Sequence, residues 1–143
     1  MILLDANLLL YAYDISSPFH ERARDWLEEV LGSEEEVGVA LVSLLAFLRV
    51  GTSPMVFARP MAVEQAAGVV SRLLERPNVG ILQPTRRHFE VVGELARTGK
   101  ARGPLLMDAH IAALAVEHGA TLFSSDRDFA RFRGVRVEDP LAS

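Results

Sequence analysis

The chain has no cysteine, so disulfides, thiolate metal sites and cysteine nucleophiles are all excluded. It has no long hydrophobic run either. The longest apolar stretch, Val37 to Leu48, is well short of the roughly 20 apolar residues of a membrane span, and it ends in Arg49. The start, Met-Ile-Leu-Leu-Asp, lacks the basic segment and cleavage motif of a secretory leader. A soluble protein of the cytoplasm, with no membrane partner, is the expectation. A basic excess is missing too: the formal net charge is −4. That weighs against a protein that merely coats nucleic acid. It does not weigh against a nuclease that brings its own divalent cations to the phosphate. There is no internal repeat, low-complexity tract or linker.

What is present is apolar sequence in short blocks. Hydrophobic residues make up 50% of the 143, enough for one domain with its own core across 1–143. Ile2–Leu4, Val37–Leu41, Val79–Leu82, Thr121–Phe123 and Val135–Val137 read as short strands. Between them lie helical patterns at Asn7–Tyr13, Phe19–Leu31, Ser43–Val50, Val63–Leu74, Thr85–Arg97 and Leu105–Glu117. A short helix follows at Asp126–Phe132. Strands alternating with helices predict an α/β fold: a parallel sheet with helices on both faces.

Three aspartates stand out by position. Asp5 follows the first strand and Asp126 follows the fourth, so both fall at strand carboxyl ends, where open α/β sheets place their ligand crevice. Asp108 sits near the start of an apolar helix, where Met107 and Ala109 offer it no partner. Each has a plainer reading. Asp5 can cap the helix after it, Asp126 can be turn chemistry, and Asp108 can answer a helix dipole. Taken together they point elsewhere. Carboxylates converging on one crevice repel one another unless a cation sits between them. Oxygen-only ligands select Mg²⁺, or Mn²⁺, over zinc, and such a site suits phosphodiester hydrolysis. Arg49 ends an apolar helix and is either a phosphate- or acid-facing cation or an ordinary helix-end arginine. Arg86, Arg87, Lys100 and Arg102 read as solvated surface, His110 as a packed or surface histidine, and Trp26 as core.

The segments Ile2-Leu3-Leu4-Asp5-Ala6-Asn7, Asp108-Ala109-His110-Ile111-Ala112-Ala113-Leu114-Ala115 and Ser124-Ser125-Asp126-Arg127-Asp128-Phe129 occur in that order. So do Arg49-x-x-Thr52-Ser53-Pro54 and Val56-Phe57-x-Arg59-Pro60, with Val135-x-Val137-x-x-Pro140-Leu141 at the close. In these the chain resembles the PIN-domain ribonucleases, and among them the VapC-type toxins of bacterial toxin–antitoxin pairs. The resemblance implies a Rossmann-like sheet, metal-dependent endonucleolytic cleavage of RNA, a homodimer and an antitoxin partner. By position, Asp5, Asp108 and Asp126 would be the metal-site and catalytic acids. Asn7 would orient Asp5, Ser125 would hold a water, the metal or a phosphate, and Asp128 would be an accessory acid. The sequence departs from the family at Ala46, where many members carry a glutamate. Asp128, Asp14 or a water are the candidate substitutes. A non-catalytic domain on the same fold and a DNA-directed nuclease are the competing readings. An aspartyl-phosphate phosphatase would want an acid where Asn7 stands.

Overall fold

The computed structural model describes residues 1–142. Five strands form one sheet in the order β3-β2-β1-β4-β5. They are β1 (Ile2–Leu4), β2 (Val37–Val39), β3 (Val79–Ile81), β4 (Thr121–Phe123) and β5 (Val137–Glu138). Every pairing is parallel. Six helices connect them: α1 (Ala6–Tyr13), α2 (His20–Leu31), α3 (Leu41–Gly51), α4 (Val63–Glu75), α5 (His88–Thr98) and α6 (Leu105–His118). No helix among the described residues is long and apolar enough to cross a membrane.

Strand alternation divides the core in two. Leu4, Val37 and Val39 face one side, where they pack with Leu8, Leu9, Leu27, Phe47 and Val69 of α1–α4. Leu3 and Leu122 face the other, packing with Leu95 of α5, the alanines of α6, Phe129 and Phe132. Helices therefore cover both faces, as expected. Ala109, Ala112, Ala113 and Ala115 are all buried, and their small size lets α6 lie close to the sheet. Gly119, at φ 65°, ends α6 in the left-handed region, its N–H returning to the Ala115 and Val116 carbonyls.

Most elements differ from the sequence expectation by a residue or two at an end. The strand expected at Val37–Leu41, for one, stops at Val39 because Leu41 opens α3. Two further differences have a clear physical cause. Helix α5 begins at His88, not Thr85. Thr85 is drawn into a tertiary contact: its N–H (2.9 Å) and its hydroxyl (2.6 Å) both donate to Glu117 Oε1. Glu117 Oε2 accepts from His88 Nδ1, and His88 Nε2 meets His110 Nδ1 at 2.7 Å. Because the carboxylate only accepts, a neutral His88 presents Nε2 as acceptor to the His110 N–H. The second difference is β5, which lies at Val137–Glu138 because its bounds are set by its ladder, Leu122↔Val137 and Phe123↔Glu138.

The strand order reverses between β1 and β4. From β1 the chain builds outward through β2 and β3, then crosses back to place β4 on β1's other side. The carboxyl edge at such a switch point is open, since successive connections leave in opposite directions.

Candidate active site

Helix α1 starts at the carboxyl end of β1, and Asp5 is its N-cap, in extended conformation (φ −84°, ψ 153°). Asp5 Oδ1 accepts from the Ala6 N–H at 2.8 Å, and Oδ2 accepts from the Ser124 hydroxyl at 2.6 Å. The second bond follows from strand register. Leu3 lies opposite Leu122 and Leu4 opposite Phe123, so the next step brings Asp5 beside Ser124. Ser124 is a hub: its oxygen also accepts from the Asp126 N–H (3.0 Å) and from Asn7 Nδ2 (3.2 Å). Burial raises the Asp5 carboxyl above its ordinary value. The bonds from Ser124 and Ala6 oppose that rise, and the charge of Asp126 adds to it.

Asp126 caps a short 3-10 helix, Arg127–Arg131, accepting from the Asp128 N–H at 2.9 Å. This turn carries Asp126 and Asp128 to the first turn of α6, where Asp108 stands. Carboxylate oxygens of Asp108, Asp126 and Asp128 lie within 4.8 Å of one another. Burial pushes the Asp108 carboxyl up to about 6; the negative charges of Asp126, Asp5 and Asp128 push the same way, and Arg131 pulls it down.

These groups border an open cleft of about 690 Å³. Asp5, Asn7, Asp108 and Asp126 line it, together with Ser43, Ala46 and Arg49 of α3. Asp5, Asp108, Asp126, Asn7 and Arg49 share the cleft, and Asp128 joins Asp108 and Asp126 in the tightest acid group. Asp5 stands outside that group of three, its oxygens held by Ala6 and Ser124. Asn7 reaches Asp5 through Ser124 rather than directly. Ser125 is not a cleft-lining residue; the hydroxyl tied to the carboxylates is that of Ser124, which sequence reading passed over. Period-2 continuation of β4 from buried Leu122 would have pointed to it. Asp14 lies away from the cleft: it closes the far end of α1 and accepts from the Ser16 N–H. Ala46 leaves the α3 wall without a carboxylate.

The donor set fits a hard divalent cation. It is oxygen-only, carries excess negative charge and includes no histidine.

The model of the PIN domain matches residues 2–135. The chain is 41% identical over 142 residues to ribonuclease VapC37 of Mycobacterium tuberculosis, covering 99% of each. Its fold is similar to VapBC-1 from nontypeable Haemophilus influenzae, with TM-score 0.71 at 21% identity over 99% of this chain and 100% of that one. A toxin–antitoxin complex from Klebsiella pneumoniae gives TM-score 0.67 at 20% identity, over 98% of each chain. A family match across nearly all the residues, on a sheet that places its acids at the switch point, leaves one assignment: this chain belongs to the PIN-domain family and stands among its VapC members.

Proposed function

We propose that the chain is an endoribonuclease that depends on Mg²⁺ or Mn²⁺ and acts as the toxin of a cytoplasmic toxin–antitoxin pair. The observation that carries this reading is the state of Asp108. Its carboxyl is held near 6 by burial and by three neighbouring acids. A divalent cation among these oxygens would relieve the repulsion that raises the Asp108 carboxyl. Asp108, Asp126 and Asp128 supply the nearest oxygens, and Asp5 adds a fourth carboxylate from the β1 side. Asp5, Asp108 and Asp126 are the acids on which the reaction depends in this reading.

A bound divalent cation would lower the pKa of a coordinated water and offset charge on the phosphodiester oxygens. The chain's own groups do the positioning. Ser124 and the Ala6 N–H hold both oxygens of Asp5 and favour its ionised form. Asn7 fixes Ser124 in turn. Arg49, which lines the same cleft, is a cation available to meet a phosphate. The antitoxin partner is proposed because a protein of similar fold is described as a toxin–antitoxin complex, and a homodimer is proposed from the VapC kinship alone.

Purified protein should cleave RNA with Mg²⁺ and not with chelator. Asp5→Asn and Asp108→Asn should each abolish cleavage while the protein stays folded by circular dichroism. Cleavage in chelator, or in both variants, overturns the assignment. Ala46 motivates a second reading, a non-catalytic domain on the same fold. Calorimetric titration with Mn²⁺ separates the two, because the second predicts no binding.

A further inference from the structure

The three crowded acids come from two segments far apart in the chain. Asp108 stands in the first turn of α6, while Asp126 and Asp128 come with the 3-10 turn Arg127–Arg131. Like charges this close push the segments apart. One side chain ties the turn back. Arg131, its last residue, donates from Nη1 to the Gly99 carbonyl at 3.1 Å and to the Lys100 carbonyl at 3.4 Å. Both carbonyls lie at the C-terminal end of α5, where a helix leaves acceptors unpaired and a cation is favoured. The backbone there is shaped for the contact. A Cβ on Gly99 would stand 3.1 Å from both the Arg131 carbonyl and the Phe132 ring, and Lys100 takes φ 53°, a left-handed conformation uncommon outside glycine.

The other terminal nitrogen serves the acids. Arg131 Nη2 lies 4.0 Å from Asp128 Oδ1, an ion pair without a hydrogen bond. Asp128 in turn has an oxygen within 4.8 Å of oxygens of Asp108 and Asp126. The charge of Arg131 is felt at Asp108 as well. Among the described residues it is the one cation that shifts that carboxyl, and it works against the three acids that raise it. Arg131 Nε, by contrast, is buried without a partner. A guanidinium kept only to staple backbone would have its donors met. Here one N–H goes unpaired while the charge sits beside the acids, so the charge is what the arrangement retains.

We infer that Arg131 is the resident counter-cation of the acid group: its charge holds Asp108, Asp126 and Asp128 together before a metal arrives, and it opposes entry of the divalent ion it stands in for. The inference rests on the metal reading above and adds a residue that sets how tightly the ion is held. A unit positive charge roughly 9 Å from a dication, in a water-like dielectric at low salt, weakens binding about three- to fivefold. The direction of the effect separates charge from architecture. Were Arg131 only a clamp that places the acids, its loss would scatter them and weaken the ion's binding. As a competing cation, its loss tightens that binding. The bonds to Gly99 and Lys100 hold the charge in place, so the metal affinity is lower than the carboxylates alone would give.

The test titrates Mn²⁺ calorimetrically into the full chain and into its Arg131→Gln, Arg131→Met and Arg131→Lys variants. It is run at pH 8, above the Asp108 value of about 6, in about 10 mM salt. The neutral Gln and Met variants should bind Mn²⁺ about three- to fivefold more tightly than the parent. The Lys variant, which keeps the charge and loses the planar fork, should match the parent within about twofold. In about 1 M potassium chloride, where charges are screened beyond roughly 3 Å, all four proteins should converge. Unchanged or weaker binding in a folded neutral variant overturns the inference, and so does a gap that survives high salt. If circular dichroism shows both neutral variants unfolded, the Lys variant decides. Parental affinity supports the counter-cation; weaker binding makes Arg131 a structural clamp and overturns it, as does failure of all three variants to fold. A parent that binds no Mn²⁺ sinks the metal reading and the inference together. A parent that binds it, beside neutral variants of equal affinity, sinks the inference alone.

Discussion

Replacing Asp108 by Asn should stabilise the metal-free protein at neutral pH. The carboxyl rises from 3.8 to about 6 on folding, through burial and the charges of Asp126, Asp5 and Asp128. A rise of that size corresponds to about 3 kcal/mol for a fully buried group. Asp108 is partly exposed, so solvent screening reduces the figure to about 1 kcal/mol. With an unfolding entropy of roughly 300 cal/mol/K for a chain this long, that is about 3 °C in Tm. The sign follows from proton linkage. The folded state binds the Asp108 proton more tightly than the unfolded state, so the penalty is absent below pH 3.8. It grows as pH rises toward 6 and is constant above that. Thermal melts in chelator should therefore show the Asn variant ahead at pH 7.5 and level near pH 4. His110, whose pKa is lowered chiefly by burial, destabilises the fold as pH falls. It does so in both proteins and cancels in their difference. Adding Mg²⁺ should reverse the ranking, since the cation stabilises the native chain by mass action and the variant less. A variant that melts lower than the parent in chelator at pH 7.5, or gains equally at pH 4, would refute the account of a repelling acid cluster.

Ser124→Ala removes the hydroxyl that joins Asp5, Asn7 and the Asp126 N–H; urea unfolding should show a loss of about 1–3 kcal/mol, and an unchanged midpoint would show that the hub carries no weight. His88→Ala strips the buried Glu117 carboxylate of a partner while leaving Thr85 in place; about 3 kcal/mol should be lost at pH 7 by the same assay. Burial opposes the ionised form of Glu117, but its bonds to Thr85 and His88 outweigh that and lower its pKa, so the native chain loses this contribution as pH falls below 4.5. The variant should show a shallower decline there.

The parallel sheet was legible because its strands are short apolar blocks spaced by helical periods. Ile2–Leu4 and Thr121–Phe123 keep the bounds expected of them. What was not legible depends on partners distant in sequence. Thr85 reads as the opening of a helix until Glu117, 32 residues on, claims both its donors. The two serines after β4 are chemically alike, and only the register of β4 against β1 brings Ser124, not Ser125, to Asp5. The plainer readings of Asp5 and Asp126 and the site reading also proved compatible. Each aspartate caps a helix with its side chain and borders the cleft at once. The cap fixes the carboxylate's place, so local turn chemistry and the crowding of acids are two aspects of one arrangement.

The adjacency of β1 and β4 also sets a clock. Asp5 leaves the ribosome early, but Ser124, its hydroxyl donor, and Asp126 follow only after more than a hundred further residues. At about 5–20 residues per second that delay is several seconds or more. During that interval the nascent chain can form β1, β2 and β3 with their helices as each emerges, while Asp108 arrives near its end and Asp126 and Asp128 only after it. Translation therefore cannot yield a partly armed molecule: the anionic centre closes late, when the second half of the sheet docks against the first.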